Sequence, residues 1–300
     1  MTTKELKQVL MLSDGTSVTY RLTRPGSHRR LVILIHGAAS NMSRWSEFIE
    51  HTTLGQDWDI LRLDLRGHGE STWRGLLDLS TWSRDICEIL DRERYQDAVI
   101  IGHSLGAQVA MDMGMRYPSR VAGLVLIDPV FYDALYPRYK WFYRSRWITR
   151  PLIWLGAALN RLGIHRRHVR NRDLRLLDES TRKKLLAVGK GEEMAKFYGS
   201  PWPDLKHFPA INYFQELYLS IKPVANTGRL RIPLLAILST TPTYTRTGIT
   251  AEIVSGLARG EIAHVDAYHW PLTEKPEQTR LLIEQWCSNT FISSHRRNGS

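Results

Sequence analysis

The feature that most constrains this chain is the pentapeptide Gly102-His103-Ser104-Leu105-Gly106, which follows directly on the apolar run 97–101 and leads into a helix-like stretch over 107–113. A strand, a sharp glycine-flanked turn and a helix form the setting in which a serine becomes a nucleophile. Small residues are needed at Gly102 and Gly106 so that strand and helix can pack close together. The turn lifts the Ser104 hydroxyl above the sheet and leaves the Leu105 N–H at a helix N-terminus, free to face an oxyanion. Alone the pentapeptide is a weak signal, since Gly-x-Ser-x-Gly arises by chance in roughly one chain in ten of this length. Its surroundings carry the argument.

Buried-strand runs recur in chain order at 31–35, 59–64, 121–127, 232–238 and 261–268. The first ends in His36-Gly37-Ala38-Ala39-Ser40-Asn41 and the second in Leu65-Arg66-Gly67-His68-Gly69-Glu70-Ser71. The third ends in Asp128-Pro129 and the last in His269-Trp270-Pro271-Leu272. Short apolar strands alternating with helical stretches predict a mostly parallel sheet covered on both faces. On four motifs, His-Gly-x-x, Asp-x-Arg-Gly-His-Gly-x-Ser, Gly-His-Ser-Leu-Gly and the late His-Trp-Pro, the chain resembles the α/β-hydrolase family, in particular its esterase-like and lipase-like members. The resemblance covers 31–130 and 230–290. It implies an α/β fold, with a mostly parallel eight-stranded sheet flanked by helices and an inserted helical cap. It also implies a core built from 1–130 and 229–300, with the cap at 131–228.

Composition sets limits on this reading. Three hundred residues, 43% of them hydrophobic, hold one large domain plus an insertion. Cys87 and Cys287 fall in amphipathic helical patterns, so a disulfide framework is not expected and a reducing, cytoplasmic setting fits. The start Met1-Thr2-Thr3-Lys4-Glu5-Leu6-Lys7 lacks the apolar run of a secretory signal, and no apolar stretch is long enough to span a bilayer. Residues 10–22 read as a hairpin around Ser13-Asp14-Gly15-Thr16.

Charge is segregated. Residues 131–230 hold 19 Lys plus Arg against 8 Asp plus Glu, whereas the remaining 200 residues carry 22 of each. Within that segment, aromatic residues alternate with cations from Tyr136 to Arg150, and a basic run follows at His165-Arg166-Arg167-His168-Val169-Arg170. The pattern suits a lipid headgroup boundary, with peripheral contact to an anionic membrane, or an anionic substrate. It equally suits a small aromatic core, with Trp141 and Trp147 available to a substrate pocket and arginines as the solvated face. No nucleic-acid-binding motif accompanies the charge, which argues against that partner.

A serine hydroxyl needs a base within hydrogen-bond reach and an acid to orient that base. Of the 11 histidines, His36, His68 and His103 belong to the motif loops, and His165, His168 and His207 to the cap. His264 sits in mid-strand, where a buried and satisfied side chain is expected. His269 stands just past the last strand, before a terminal helix over 274–286, and is where the resembled family keeps its base. Most such relatives place the acid after the penultimate strand, but here Ser239 to Arg246 contains no carboxylate. Part of the family uses the strand before the cap instead, which selects Asp128; Glu252, one or two turns into a helix, is the alternative. By resemblance, the Ala38 N–H joins that of Leu105 as the second oxyanion donor. Arg66 and His68 are read as scaffold.

Ser104 excludes relatives that need a carboxylate nucleophile. No Gly-x-Gly-x-x-Gly follows the first strand, and no His/Cys cluster has metal-ligand spacing, so neither cofactor nor metal is expected. What the sequence points to is a serine hydrolase acting on a small-molecule carboxylic ester or thioester with a hydrophobic acyl group. An acyltransferase or perhydrolase using the same serine, and a non-catalytic ligand-binding protein on the same fold, stay open.

Overall fold

The computed structural model describes residues 5–26, 30–166, 169, 171–224, 227–241 and 243–292; Met1 to Lys4 and, in the basic run, Arg167, His168 and Arg170 lie outside the described residues. Its sheet contains β1 Leu6–Met11, β2 Ser17–Thr23, β3 Arg30–Ile35, β4 Trp58–Leu63, β5 Ala98–His103, β6 Val121–Ile127, β7 Leu234–Ser239 and β8 Gly260–Val265. Their spatial order is β1-β2-β4-β3-β5-β6-β7-β8. β1 runs antiparallel to β2 and β2 antiparallel to β4, while the other neighbours are parallel. The expected hairpin is β1–β2, with Gly15 at φ +79 in its turn, a conformation that favours glycine.

Helices cover both faces. They are α1 Ser46–His51, α2 Leu79–Glu93, α3 Leu105–Arg116, α4 Pro137–Arg144, α5 Arg146–Arg161, α6 Leu174–Lys184, α7 Gly191–Tyr198, α8 Pro201–His207, α9 Ala210–Ser220, α10 Thr247–Ser255, α11 Pro271–Glu274 and α12 Pro276–Cys287. Side chains alternate across each strand, so a sheet covered on both sides needs apolar residues at consecutive positions. Ile33, Leu61, Ile100 and Leu124 accordingly pack with Trp82 and Ile86 of α2 and Val109 of α3. Val32, Leu34, Val99, Ile101 and Val125 pack on the opposite face with Phe48 of α1 and Ile283 and Trp286 of α12. This double burial is why the central strands β3 to β6 read as nearly unbroken apolar runs.

Two expectations need correction. The 274–286 helix is divided into α11 and α12 at Lys275, because Pro276 has no N–H to continue the earlier helix. His264 is exposed rather than buried, because β8 is the edge of the sheet. Between β6 and β7 the chain forms α4 to α9. Cys87 and Cys287 are buried free thiols. No helix among the described residues is long and apolar enough to cross a membrane.

The topology also locates a crevice. From β3 the chain passes to β4 on one side, and the next strand, β5, lies on the other. Ligands in open α/β sheets bind beyond the carboxyl ends of strands at such a reversal, here the ends of β3 and β5.

Candidate active site

The β5–α3 turn occupies that crevice. Ser104 has φ +52 and ψ −110, a strained conformation for a non-glycine residue. Its flanking glycines are required by distance. A Cβ on Gly102 would lie 2.2 Å from the Gly106 carbonyl oxygen, and one on Gly106 would lie 2.5 Å from the Ile35 carbonyl oxygen. The Ser104 N–H is fixed to the Ile127 carbonyl at 2.9 Å, which ties the turn to the end of β6.

His269 lies beyond β8, with its Nε2 at 2.9 Å from Ser104 Oγ. The Glu274 carboxylate accepts from the Tyr268 N–H at 3.0 Å and from the Trp270 N–H at 3.2 Å, holding the loop on either side of the imidazole. Asp128 Oδ2 is 3.7 Å from His269 Nδ1, an ion-pair distance longer than a formed hydrogen bond. The Asp128 carboxylate also accepts from the Ser239 N–H at 2.7 Å and the Ser239 hydroxyl at 2.5 Å. Burial pushes the Asp128 carboxyl up to about 7, against the pull of the Ser239 bonds. Burial and the neighbouring His103 hold the His269 imidazole well below its ordinary value, so it stays neutral and able to accept a proton. Glu252 is exposed on α10 and forms no ion pair with His269 among the described residues.

The Ala38 and Leu105 N–H groups have no acceptor among the described residues. Ala38 and Ser104 line one cavity. The loop carrying Ala38 is held from two sides. His36 Nε2 accepts from the Leu65 N–H at 3.2 Å, so its proton is on Nδ1, which faces the Gly37 carbonyl at 2.8 Å. Ala39 stands at φ +48 and donates its N–H to Glu216 Oε2 of α9 at 2.8 Å. The other Glu216 oxygen lies 3.1 Å from His68 Nε2, with both side chains fully buried. His103, also buried, directs Nε2 at the His269 carbonyl oxygen at 2.8 Å and thus bears its proton there. Arg66 pairs with Asp85 and Asp14 under the neighbouring loop, in keeping with a scaffold role.

Sequence reasoning missed Glu216, Ser239 and Glu274. Only Ser239 had a visible signal, its position at the end of the penultimate strand. A cavity of about 360 Å³, within the range of small-ligand sites, opens onto Ser104 and His269. Its aromatic walls are Tyr139, Phe142, Tyr198, Tyr213, Tyr244 and Trp270, and Arg44 and Asp204 bring charge to it. Burial pushes the Asp204 carboxyl up to about 7. Trp141 and Trp147 are not part of this lining. Both are exposed on α4 and α5, because the helix faces that bear them point away from the cavity.

A family model described as the alpha/beta hydrolase family matches residues 32–280. Lipase LipV of Mycobacterium tuberculosis is 33% identical over 98 residues, 33% of this chain and 36% of that protein. Monoglyceride lipase of Mus musculus is 29% identical over 128 residues, 40% of this chain and 42% of that protein. The chain therefore spans roughly a third to two fifths of the length of these curated relatives. Among solved structures, a hydrolase from Pseudomonas aeruginosa PA01 is similar over 93% of this chain and 97% of that chain, with a TM-score of 0.65 and 21% identity, a likeness of fold. With the family model covering most of the chain, and with this sheet order and this serine turn, the protein belongs to the alpha/beta hydrolase family.

Proposed function

We propose that the protein is a serine hydrolase that cleaves a carboxylic ester or thioester with a hydrophobic acyl group. The observation that carries this reading is the 2.9 Å approach of Ser104 Oγ to His269 Nε2 at a largely aromatic cavity. Ser104 Oγ attacks the carbonyl carbon while His269 Nε2 takes its proton. The Ala38 and Leu105 N–H groups hold the oxyanion, each such donor contributing about 3 kcal/mol to the transition state. Collapse breaks the bond to the alcohol or thiol, which leaves with the proton from His269. Water, deprotonated by the same imidazole, then attacks the acyl-enzyme and frees Ser104. Asp128 orients the imidazole and stabilises it when charged. Residues 131–228 act as a cap, whose Tyr139, Phe142 and Tyr213 line the acyl pocket. Relatives named as lipases support the ester class.

A series of p-nitrophenyl esters of increasing acyl length tests this. kcat/KM is expected to rise from acetyl to medium chains and to vanish in Ser104→Ala. A flat or falling profile contradicts the hydrophobic pocket, and turnover by Ser104→Ala contradicts the mechanism.

A further inference from the structure

Helix α5 has an arrangement opposite to that of an ordinary surface helix. Its inner side is made mainly of small or polar residues, with Ile153 half-buried among them. Ala157 and Asn160 are buried, and Gly156 lies so close to α9 that a Cβ there would sit 2.4 Å from Ile211 Cδ1. Its outer side carries Ile148, Leu152, Leu155, Leu159 and Leu162, spaced alternately four and three residues apart, so that they form one stripe along the helix. Leu152 is 62% exposed, Leu155 52% and Leu162 77%. Trp147 and Trp154, one heptad apart and 75% and 60% exposed, run beside the stripe. Soluble proteins seldom leave a contiguous apolar face of this kind open to water.

The charge around the stripe says what covers it. Arg144, Arg146, Arg150 and Arg161 are all exposed at the two ends and flanks of α5. From residue 134 to 172 the chain has ten Lys or Arg and no Asp or Glu. A second copy docked through the same face would set arginines against arginines with no acid to separate them. A bilayer with anionic headgroups satisfies both features, with acyl carbon for the leucines, the headgroup boundary for the tryptophans and phosphate for the guanidinium groups. α5 is too short and too interrupted by charge to cross the bilayer, so it would lie in the plane of the interface.

We propose that the outer face of α5 docks the protein onto anionic membranes. α4, joined to α5 through Ser145, supplies Tyr139 and Phe142 to the cavity wall, so docking brings the cavity beside the lipid surface. Membrane binding does not rest on the hydrolase reading. Delivery of a lipid ester to Ser104 does rest on it.

The test is cosedimentation of the full chain with phosphatidylcholine vesicles and with vesicles containing one third phosphatidylserine. Two variants, Leu152→Gln/Leu155→Gln and Arg146→Glu/Arg150→Glu, are run alongside, with the thermal midpoint as the fold control. The wild type is expected to pellet with the anionic vesicles at least tenfold more strongly than with neutral ones, and each double variant to lose about tenfold or more of that binding. Trp emission should shift to the blue on binding. Ser104→Ala should pellet like the wild type, so an inert wild type that still pellets sinks the hydrolase reading alone. Three outcomes overturn the docking surface. They are no pelleting on anionic vesicles, equal pelleting by folded double variants, and a wild-type dimer in sedimentation velocity that the leucine variant dissolves.

Discussion

Asp128 places a carboxylate where ionisation is disfavoured, and this sets both a stability and an activity prediction. An aspartate in the unfolded chain titrates near 4, whereas burial moves Asp128 to about 7 in the fold. Between those values the folded chain holds a proton that the unfolded chain has lost. Stability therefore falls as pH rises through that window, and the ionised carboxylate continues to cost stability above it. Asp128→Asn removes that charge while its amide can still accept from the Ser239 N–H. Its thermal midpoint at pH 8 is expected to exceed the wild type's, while kcat falls by about 10³–10⁴. Calorimetry and ester turnover check the pair, and a variant that is active or less stable at pH 8 contradicts the assignment.

The same titration shapes catalysis. His269 is held well below its ordinary value, so the proton taken up near 7 goes to the Asp128–His269 pair and removes the anion that orients the imidazole in the proposed mechanism. kcat/KM should drop as pH falls through about 7, and this limb should be absent from the residual activity of Asp128→Asn. Ser104 and His269, which the structure brings within 2.9 Å of each other, could be picked out because each sits in a local motif. Asp128 and Glu252 were not separable by spacing, since both follow a sheet strand. The adjacency of β6 and β7 brings Asp128 to 3.7 Å from His269, with its N–H on the Ile237 carbonyl and its carboxylate on Ser239, and this supports the role proposed for it.

Among the elements, α9 acts on the loop that carries Ala38 through a single carboxylate. Glu216 holds the Ala39 N–H next to Ala38 and faces His68 from the other side. Glu216→Ala would leave buried polar groups without partners, a loss of about 1–3 kcal/mol in stability. It would also loosen the turn that presents the Ala38 N–H. The expected result is a kcat lowered about tenfold or more with KM little changed, largely rescued in Glu216→Gln, which keeps an acceptor for Ala39. A parallel loss in both variants, or a change confined to KM, would show that the carboxylate does not position the loop. Nothing in the sequence pointed to this bond. Its partners stand 177 residues apart, and Glu216 sits in a largely aromatic and apolar stretch, Tyr213-Phe214-Gln215-Glu216-Leu217-Tyr218, that has no motif around it. Trp141 and Trp147 failed for the opposite reason. Alternating aromatic and cationic residues look the same whether a helix turns them toward a cavity or toward solvent.

At the scale of the whole molecule, the sheet and the inserted helices divide the work. Unbroken apolar runs announce a sheet buried on both faces, so its central strands β3 to β6 could be read to within a residue or two, while the edge strands β1 and β8, exposed or half-buried on much of their length, were placed three or four residues off. The helices between β6 and β7 pack through single glycines, lone carboxylates and aromatic edges, which carry no period. Their excess of positive charge was plain in the composition, but which face it adorned was not. All of these parts converge on the hydroxyl of Ser104. The most direct test of the account is the intact mass of the purified protein after exposure to a fluorophosphonate, beside Ser104→Ala. One adduct on the wild type and none on the variant is the result expected of a serine activated by His269. No adduct on a folded wild type, or an adduct that persists in Ser104→Ala, would contradict it.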